Sequence, residues 1–350
     1  MSTKIEWADL TINPTAGCMK CSPGCANCYA ERFAARLAKN PQTAEKYAGV
    51  VDDAGKWTGR ISEPDYSVFE RLPKKPQRFF LGSMTDLFFQ GVNDYNRKAL
   101  KTEDGTLYEF APNTMHVRIA RLLVQIGRYP QHTFMMLTKR PEAMGEALDL
   151  LLKRPLLNLW IGVTVCNQEE ADEKIPLLLD IPAALRFISF EPLLGPVNLW
   201  RWFPEGACQK PAHEAGRRFV KNAEYENGIH WVIAGGETGP GARPAHPNWF
   251  RSLRDQCQGA GVPFFFKGWG EWVKVEYDDY PDWRRRDGGR GIFTNLDPVR
   301  GQFWNSDCAY RADGQGGMKK IYGTDLMQRI GKRCTGRLLD GVEYSQFPEV

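Results

Sequence analysis

Four of the nine cysteines stand within the eleven residues Cys18-Met-Lys-Cys21-Ser-Pro-Gly-Cys25-Ala-Asn-Cys28. Their spacing is C-x2-C-x3-C-x2-C, and a Pro-Gly pair lies at the centre of the stretch. Thiolates this close on one loop can converge on a single metal centre, and soft thiolate ligands select iron–sulfur clusters, zinc or Cu(I). The stretch therefore predicts a metal site whose candidate ligands are Cys18, Cys21, Cys25 and Cys28.

The spacing favours an iron–sulfur cluster over structural zinc. Structural zinc sites usually separate two C-x2-C pairs by about 12–20 residues, whereas three residues separate the two pairs here. Short cysteine runs of this kind hold iron–sulfur clusters, and none of the five histidines lies near the cysteines in sequence. Structural zinc, disulfides and unliganded thiols are the alternatives.

Part of the stretch is similar to the cluster loop of radical S-adenosylmethionine (SAM) enzymes, namely Cys21-x3-Cys25-x2-Cys28. That resemblance implies a [4Fe–4S] cluster held by three cysteines, with SAM bound to the fourth iron. Cys18, Cys25 and Cys28 form a second possible triplet, so the third ligand is either Cys18 or Cys21. Asn27 stands where that superfamily often has an aromatic residue, and Tyr29 follows the last cysteine instead.

Composition limits the class of protein. A chain of 350 residues, 42% of them hydrophobic, can bury a sizeable core and suits one large α/β domain with additions. No run of about 18 apolar residues predicts a membrane span, and the first residues lack the apolar centre of a signal peptide. An odd number of clustered cysteines favours a reducing compartment over a disulfide framework. We therefore expect a cytoplasmic protein without a membrane partner.

Short, continuous apolar runs recur after the cysteine stretch and predict buried strands. Six such runs lie at residues 78–82, 133–137, 159–163, 186–190, 231–234 and 263–266. Runs without alternation suit strands buried on both faces, as in parallel sheets, and helical patterns lie between them. The predicted fold is α/β, a partial (β/α) barrel of the radical SAM type, with a doubly wound open sheet as the alternative.

The same pattern gives the predicted domain organisation. The barrel spans residues 1–268, with insertions at about 40–76 and 197–228, and residues 269–350 form a C-terminal cap. The cap contains two basic stretches near tryptophan and tyrosine, Trp283–Arg286 and Lys319–Arg337. Such stretches are typical of surfaces that contact phosphates and stack bases, although solvated surfaces have them too. Cys308 and Cys334 lie in the same region; a second metal site there is an open alternative that their spacing does not support.

Polar residues follow nearly every predicted strand. In βα barrels the chemistry is built from loops at the carboxyl ends of the strands, and both signs of charge there would suit a zwitterionic ligand such as SAM. The alternative is that these residues cap loops or pair with one another. The candidates for cofactor binding are Ser83, Asp86, Lys139, Glu191, Gly235, Gly236 and Glu237. The candidates for substrate binding are Arg140, Arg243 and Lys267.

One tripeptide among these candidates, Gly235-Gly236-Glu237, is similar to the Gly-Gly-Glu element that contacts the SAM amino group in many radical SAM enzymes. That element normally follows the strand after the cluster helix. Ser83 and Asp86 occupy this position here, so the order along the chain favours them as the equivalents over the literal tripeptide.

The chain as a whole resembles the three-Cys-motif proteins, a bacterial and phage family regarded as radical SAM enzymes of undefined reaction. The matching blocks include Cys28-Tyr-Ala-Glu31, Trp57-Thr-Gly59, Leu137-Thr-Lys-Arg-Pro141, Glu191-Pro-Leu-Leu-Gly195 and Gly336-Arg-Leu-Leu-Asp-Gly341. The resemblance implies that Cys18, Cys25 and Cys28 are the three family cysteines and that Cys21 is an additional thiol. The chain departs from the family pattern at Phe89, Cys166 and Gly268, which affects the substrate contacts expected there.

The resemblance implies a radical SAM enzyme that transfers one electron from the reduced cluster to SAM and abstracts hydrogen from a substrate through a 5′-deoxyadenosyl radical. The basic, aromatic C-terminal region favours a nucleic acid or nucleotide substrate, and an electron donor such as flavodoxin or ferredoxin would be required. One alternative is a zinc-stapled nucleic-acid-binding protein without catalysis. Another is a partner-recognition protein that keeps the cluster without SAM turnover.

Overall fold

The computed structural model describes residues 5–92, 99–101, 107–109, 114–204, 228–274, 292–296, 303–305, 310–312, 318–320 and 325–348. The strands are β1 (Leu10–Ile12), β2 (Arg78–Leu81), β3 (Ala99–Lys101), β4 (Leu107–Glu109), β5 (Thr133–Thr138), β6 (Leu159–Thr164), β7 (Leu185–Phe190), β8 (Trp231–Gly235), β9 (Phe264–Gly268), β10 (Trp272–Lys274), β11 (Ile292–Leu296), β12 (Phe303–Asn305), β13 (Tyr310–Ala312), β14 (Met318–Lys320), β15 (Asp325–Arg329), β16 (Leu338–Leu339) and β17 (Val342–Glu343). The helices are α1 (Tyr29–Leu37), α2 (Ala44–Tyr47), α3 (Met115–Arg128), α4 (Pro141–Leu151), α5 (Gln168–Asp180), α6 (Pro247–Ala260) and α7 (Lys332–Thr335).

Seven strands form one parallel sheet in the order β1-β2-β5-β6-β7-β8-β9. The order follows the chain without a reversal, whereas a doubly wound sheet reverses its order at a switch point. Among the described strands, β1 and β9 are the two edges of this sheet. The predicted α/β class is confirmed, and the doubly wound alternative is wrong.

The central strands show why the sequence folds in this way. All six residues of β6 and all six residues of β7 are buried, as expected for strands covered on both faces. Gly162 in β6 leaves room for an aromatic ring, because an added Cβ would lie 2.6 Å from the Phe187 side chain. The apolar runs in the sequence therefore correspond to the interior strands of the sheet.

The chain divides into two compact units. Unit 1 comprises Met1–Thr164, Lys174–Phe187 and Arg217–Asn227, and unit 2 comprises Val165–Glu173, Ile188–Gly216 and Gly228–Val350. The predicted boundary at 268/269 and the predicted insertions at 40–76 and 197–228 stay predictions. Residues 205–227 of the second insertion lie outside the described residues.

Helix α1 begins directly after the cysteine stretch, as the spacing of Tyr29, Phe33 and Leu37 predicts. However, Tyr29 and Phe33 are 50% and 45% exposed, and the buried face instead contains Ala30 and Ala34. The two alanines belong to a core cluster with Ala16, Tyr47, Val50 and Met84. Small side chains allow the helix to pack closely, so the larger aromatic residues lie on the opposite face.

The last described residues complete the edge of β9 within unit 2. The Phe266 amide donates to the Tyr344 carbonyl at 2.9 Å, and the Phe264 amide donates to Gln346 Oε1 at 2.9 Å. The Phe347 ring lies 5.3 Å from the Trp231 ring, centroid to centroid. Unpaired edge groups of a strand are exposed to association with other chains, and this segment covers them.

The remaining described strands form small sheets. Strands β10, β15, β11 and β12 form a four-stranded antiparallel sheet, and the pairs β3–β4, β13–β14 and β16–β17 are separate two-stranded sheets. Among the described residues, no helix is both long enough and apolar enough to cross a membrane.

Candidate functional site

The cysteine stretch, which we call the cysteine loop (residues 18–28), is fixed at its start by the loop that follows β2. The Gly17 amide donates to the Met84 carbonyl at 3.2 Å, and Thr85 Oγ1 donates to the Gly17 carbonyl at 2.6 Å. Gly17 has a φ of +116°, and an added Cβ would lie 2.0 Å from the Arg60 carbonyl oxygen. Only glycine fits this position, so the backbone enters the loop on a defined path.

Local turn chemistry places the last two cysteines of the loop. Residues Pro23–Cys25 form a 3-10 turn, and Ser22 caps it by accepting a hydrogen bond from the Gly24 amide at 3.1 Å. Cys28 is the N-cap residue of α1. The C-x2-C pair of Cys25 and Cys28 therefore runs from the end of the turn to the start of the helix.

The four thiols of the loop form no disulfide; Cys18, Cys25 and Cys28 are half-buried, and Cys21 is exposed. A hydrogen bond from Cys21 lowers the pKa of Cys25 to about 5, and the nearby charge of Lys139 acts in the same direction. The same hydrogen bond raises the pKa of Cys21. Burial raises the pKa of Cys18 to about 11, and the neighbouring Asp86 carboxylate adds to this effect.

The four cysteine thiols are suitable metal ligands by chemical type, although their arrangement in the structure is not that of a complete metal site. Among the described residues, no three His, Cys, Asp or Glu side chains are arranged as a complete metal site. Within the loop, Cys21 is hydrogen-bonded to Cys25, and burial together with the charge of Cys28 contributes to the raised pKa of Cys18. Metal ligands must be deprotonated, and metal binding releases their protons. Four soft donors on one short loop suit an iron–sulfur cluster or zinc.

Asp86, a predicted cofactor residue after β2, is fully engaged within unit 1. Its Oδ1 accepts hydrogen bonds from the Thr138 hydroxyl at 2.7 Å and the Phe88 amide at 3.1 Å. Its Oδ2 accepts from the Lys139 amide at 3.0 Å and from Arg140 Nη1 at 2.9 Å. A carboxylate offers about four acceptor positions, and this chain occupies them.

Arg140, a predicted substrate residue, contacts the cysteine loop directly. Its Nη2 donates to the Met19 carbonyl at 2.7 Å, and its guanidinium lies 4.8 Å from the centroid of the Phe89 ring. Ser83, another predicted cofactor residue, is hydrogen-bonded to Asn13 at 2.9 Å. Asp86 and Arg140 thus lie together beside the loop, and the Ser83 carbonyl accepts a hydrogen bond at 2.8 Å from the hydroxyl of Tyr29, the residue that follows the loop.

Glu31 is a residue near the loop that sequence reasoning did not select. Its carboxylate is buried, accepts a hydrogen bond from the Trp57 amide at 3.2 Å, and pairs with Lys20 at 2.9 Å. Lys20 lies inside the cysteine loop and also donates to the Ala26 carbonyl at 3.4 Å. A glutamate on a helix face flanked by alanines is the signal that could have identified it.

Two predicted residues form an ion pair across the strand ends of unit 2. Lys267 Nζ lies 2.5 Å from Glu191 Oε1, and both side chains are largely buried. Gly235 at the end of β8 lies beside the pair, since an added Cβ would be 3.3 Å from Lys267 Cβ and 3.4 Å from Glu191 Oε1. The glycine therefore leaves room for the two side chains to meet.

Glu237 forms a second and more buried pair in unit 2. Arg243 donates to its carboxylate through Nη2 at 2.6 Å, Nε at 2.8 Å and the backbone amide at 2.8 Å. An added Cβ at Gly236 would lie 1.9 Å from the Trp269 carbonyl oxygen. The Gly-Gly-Glu sequence is thus explained locally by backbone packing and by closure of the loop at Arg243.

Two predicted features lie outside the described residues, namely the Trp283–Arg286 stretch and Cys308. For Lys319 and Lys320 only the backbone is described. Cys334 is exposed.

A family model described as "Protein of unknown function (DUF5131)" matches residues 2–103 and 109–348 of the chain. No curated protein and no solved structure matches the chain. The description assigns no activity.

Proposed function

The chain belongs to the DUF5131 family, and we propose that it is a radical SAM enzyme whose cysteine loop holds a [4Fe–4S] cluster. The observation that carries the proposal is the loop itself: four thiols without a disulfide between β1 and α1. The sequential order of the seven parallel strands is the order expected of a partial (β/α) barrel. In such folds the loops after the strands carry the chemistry.

We propose Cys18, Cys25 and Cys28 as the ligands of the cluster. Cys18 is half-buried and interacts electrostatically with Cys28, whereas Cys21 is exposed. Three protein ligands would leave one iron for SAM. A reduced cluster held there would supply the electron for cleavage of the sulfonium bond of SAM into methionine and a radical able to abstract hydrogen from the substrate. The protein supplies the position of the reactants and the exclusion of water.

The contacts within the two units separate the other predicted site residues into those that position loops and those that we propose for ligand contacts. Asp86 and Glu237 hold arginines of this chain, and we propose that they position loops. Ser83, Lys139 and the strand-end pair of Glu191 and Lys267 are the residues that we propose for polar contacts to SAM or substrate. The space beside Gly235 and Gly236 is taken by Glu191, Lys267 and the Trp269 carbonyl, so we leave both glycines out of the proposed contacts.

Anaerobic reconstitution with iron and sulfide tests this function. We expect about four irons per chain, an electron paramagnetic resonance (EPR) signal that changes when SAM is added, and release of 5′-deoxyadenosine under a strong reductant. A metal content of one zinc and no iron per chain would contradict the proposal and support the alternative of a zinc-stapled nucleic-acid-binding protein. A cluster whose EPR signal does not change when SAM is added would support the alternative of partner recognition without SAM turnover.

The proposed substrate class is a nucleic acid or nucleotide, and the proposed location is the cytoplasm, with flavodoxin or ferredoxin as the electron donor. The support for the substrate is the basic, aromatic sequence of the C-terminal region. Fluorescence anisotropy with labelled single-stranded DNA and RNA checks it: we expect binding that weakens steeply with salt. The absence of binding at low salt would remove the nucleic acid from the proposal.

A further inference from the structure

The segment Thr138-Lys139-Arg140 includes the end of β5 and contacts the cysteine loop through the Arg140 side chain. Arg140 Nη2 donates to the carbonyl of Met19, a residue 121 positions earlier in the chain, at 2.7 Å. The other amino group of the same guanidinium, Nη1, donates to Asp86 Oδ2 at 2.9 Å. One rigid, planar group therefore joins the loop after β2, the loop after β5 and the cysteine loop.

The surroundings of Arg140 fix its orientation. Asp86 is itself held by Thr138 Oγ1 and by the amides of Phe88 and Lys139, and its side chain is only 9% exposed. The Phe89 ring lies 4.8 Å from the guanidinium carbon. Because guanidinium donors lie in a fixed fork, two hydrogen bonds at once determine where the group lies, which a lysine amine cannot reproduce.

The same segment presents positive charge to the thiols. Arg140 binds the carbonyl of Met19, the residue after Cys18, and the Lys139 amide binds the same Asp86 carboxylate as Arg140. In keeping with this placement, the charge of Arg140 acts to lower the pKa of Cys18 and Cys21, and the charge of Lys139 acts to lower that of Cys25. Asp86 acts on Cys18 and Cys21 with the opposite sign and compensates part of this charge. Thiolates bound to a metal carry negative charge, which nearby cations stabilise, and such groups around a cluster tune its reduction potential.

We propose that Asp86 and Arg140 are positioning residues of the cysteine loop, and that Arg140 and Lys139 together offset the negative charge of its metal-bound thiolates. The inference rests on the proposed function only in that the loop binds a metal. It holds for an iron–sulfur cluster and for zinc alike, and it requires no SAM chemistry. It assigns Arg140 to the metal site, where the sequence suggested a substrate contact.

Four variants separate position from charge: Arg140→Gln, Arg140→Lys, Asp86→Asn and Lys139→Gln. Arg78→Gln is the matched control, because Arg78 forms a two-point pair with Asp9 at the opposite end of β2, with Nη2–Oδ1 at 2.8 Å and Nε–Oδ2 at 3.2 Å. Metal-free protein is first digested briefly with trypsin, and cleavage after Lys20 within the loop is measured by mass spectrometry. We expect faster cleavage in Arg140→Gln, Arg140→Lys and Asp86→Asn, and unchanged cleavage in Lys139→Gln and Arg78→Gln.

The second measurement uses the metal-loaded proteins. Loss of an outer contact around a metal ligand typically weakens metal binding about 10–100-fold, and we expect about a 10-fold loss for Arg140→Gln in competition with a chelator. If the metal is an iron–sulfur cluster, its midpoint potential should fall in Arg140→Gln and Lys139→Gln and change little in Arg140→Lys, which keeps the charge.

The outcomes distinguish this inference from the proposed function. If Arg140→Gln matches Arg78→Gln in trypsin cleavage and in metal retention, the positioning role is wrong. If Lys139→Gln and Arg140→Gln leave the potential unchanged, the charge role is wrong. If the wild-type protein binds no iron, the proposed function fails, whereas the trypsin comparison on metal-free protein still decides the positioning role.

Discussion

The loop after β1 in unit 1 and the strand ends of unit 2 both contain groups that can bind ligands, but they engage them differently. In unit 2, Glu191 pairs with Lys267, and Glu237 pairs with Arg243 through three hydrogen bonds. In unit 1, the four thiols of the cysteine loop make weak sulfur contacts: Cys25 is hydrogen-bonded to Cys21 and Ser22, and Cys18 to the Asp86 backbone and, at 3.5 Å, to the Met19 carbonyl.

This difference concerns the capacity that each group retains for a ligand. A carboxylate held by an arginine fork can accept a ligand only if those bonds are broken, and breaking a buried pair is costly. A thiol makes weak hydrogen bonds, so its exchange for a metal bond loses little. Weakly held donors therefore favour the cysteine loop as the candidate metal site, whereas charge alone at a strand end does not identify a ligand contact.

The largest expected effect comes from removing single thiols. With Cys18, Cys25 and Cys28 as ligands, each alanine variant should lose nearly all cluster iron, because a missing thiolate leaves the cluster incomplete. Cys21→Ala should retain iron close to the wild-type level. Iron and sulfide analysis after reconstitution measures this.

Cys334→Ala is the control for that series, since Cys334 is exposed and lies in unit 2. Loss of iron in Cys21→Ala with retention in Cys18→Ala would show that the third ligand is Cys21 and not Cys18. Equal retention in all variants would remove the distinction between the two regions.

The second effect is on stability in unit 2. Glu237→Gln leaves Arg243 without its carboxylate partner, and the Glu237 side chain is 5% exposed, so we expect a loss of about 3 kcal/mol in the free energy of unfolding. Urea unfolding followed by tryptophan fluorescence measures it.

The control for this change is Glu343→Gln, which removes the partner of Arg337 at an exposed position and should cost less than about 1 kcal/mol. Iron content should not change in Glu237→Gln. Intact stability together with lost SAM binding would instead favour the cofactor contact that the sequence suggested.

Continuous apolar runs identified the strands of the sheet well. The run at 159–163 lies within β6, and the run at 186–190 lies within β7, because a strand covered on both faces must be apolar at every position. The helix after the cysteines was also predicted. Its buried face was not, because two alanines contribute little to an apolar pattern and Tyr29 and Phe33 contribute much.

The pairing of the charged residues could not be predicted from the sequence. Asp86 and Arg140 are 54 positions apart, and whether they meet depends on the exact register of β2 and β5. Residue types at strand ends gave the correct set of charged groups, but not which of them bind each other. The segment around Tyr344 and Gln346 that covers β9 is too short and too polar to be recognised as an edge element.

The third effect compares two glycines at which an added methyl group would strike the backbone. Gly17→Ala places Cβ 2.0 Å from the Arg60 carbonyl oxygen, and Gly236→Ala places it 1.9 Å from the Trp269 carbonyl oxygen. Both should lose at least about 2 kcal/mol of stability, because the backbone has to move. Only Gly17→Ala should also lose metal, since only Gly17 precedes the cysteine loop.

The control is Gly127→Ala, because nothing lies within 4 Å of the added Cβ in α3 and alanine favours a helix by about 1 kcal/mol over glycine. Thermal unfolding and iron content are measured on the three variants. Equal loss of metal in Gly17→Ala and Gly236→Ala would mean that both regions shape the metal site.

The smallest effect is a pH dependence that both units share. Hydrogen bonds from Arg78 hold the pKa of Asp9 in unit 1 below its usual value, and hydrogen bonds from Arg251 and Arg254 do the same for Asp340 in unit 2. A carboxylate whose pKa is lower in the folded state stabilises the protein above its unfolded pKa of about 3.9. That stability is lost as the pH falls through the folded pKa.

Asp9→Asn and Asp340→Asn should therefore reduce stability at pH 7 and flatten its decline below about pH 4. Both carboxylates are about a third or more exposed, so water and salt screen each pair and the loss should stay within about 1 kcal/mol. Urea midpoints at pH 7 and pH 3 measure it, with 1 M salt as the screening control. Asp340 pairs with two arginines and Asp9 with one, so we expect the larger change in the pH dependence of stability in Asp340→Asn. A larger change in Asp9→Asn would show that burial of the carboxylate matters more than its number of partners.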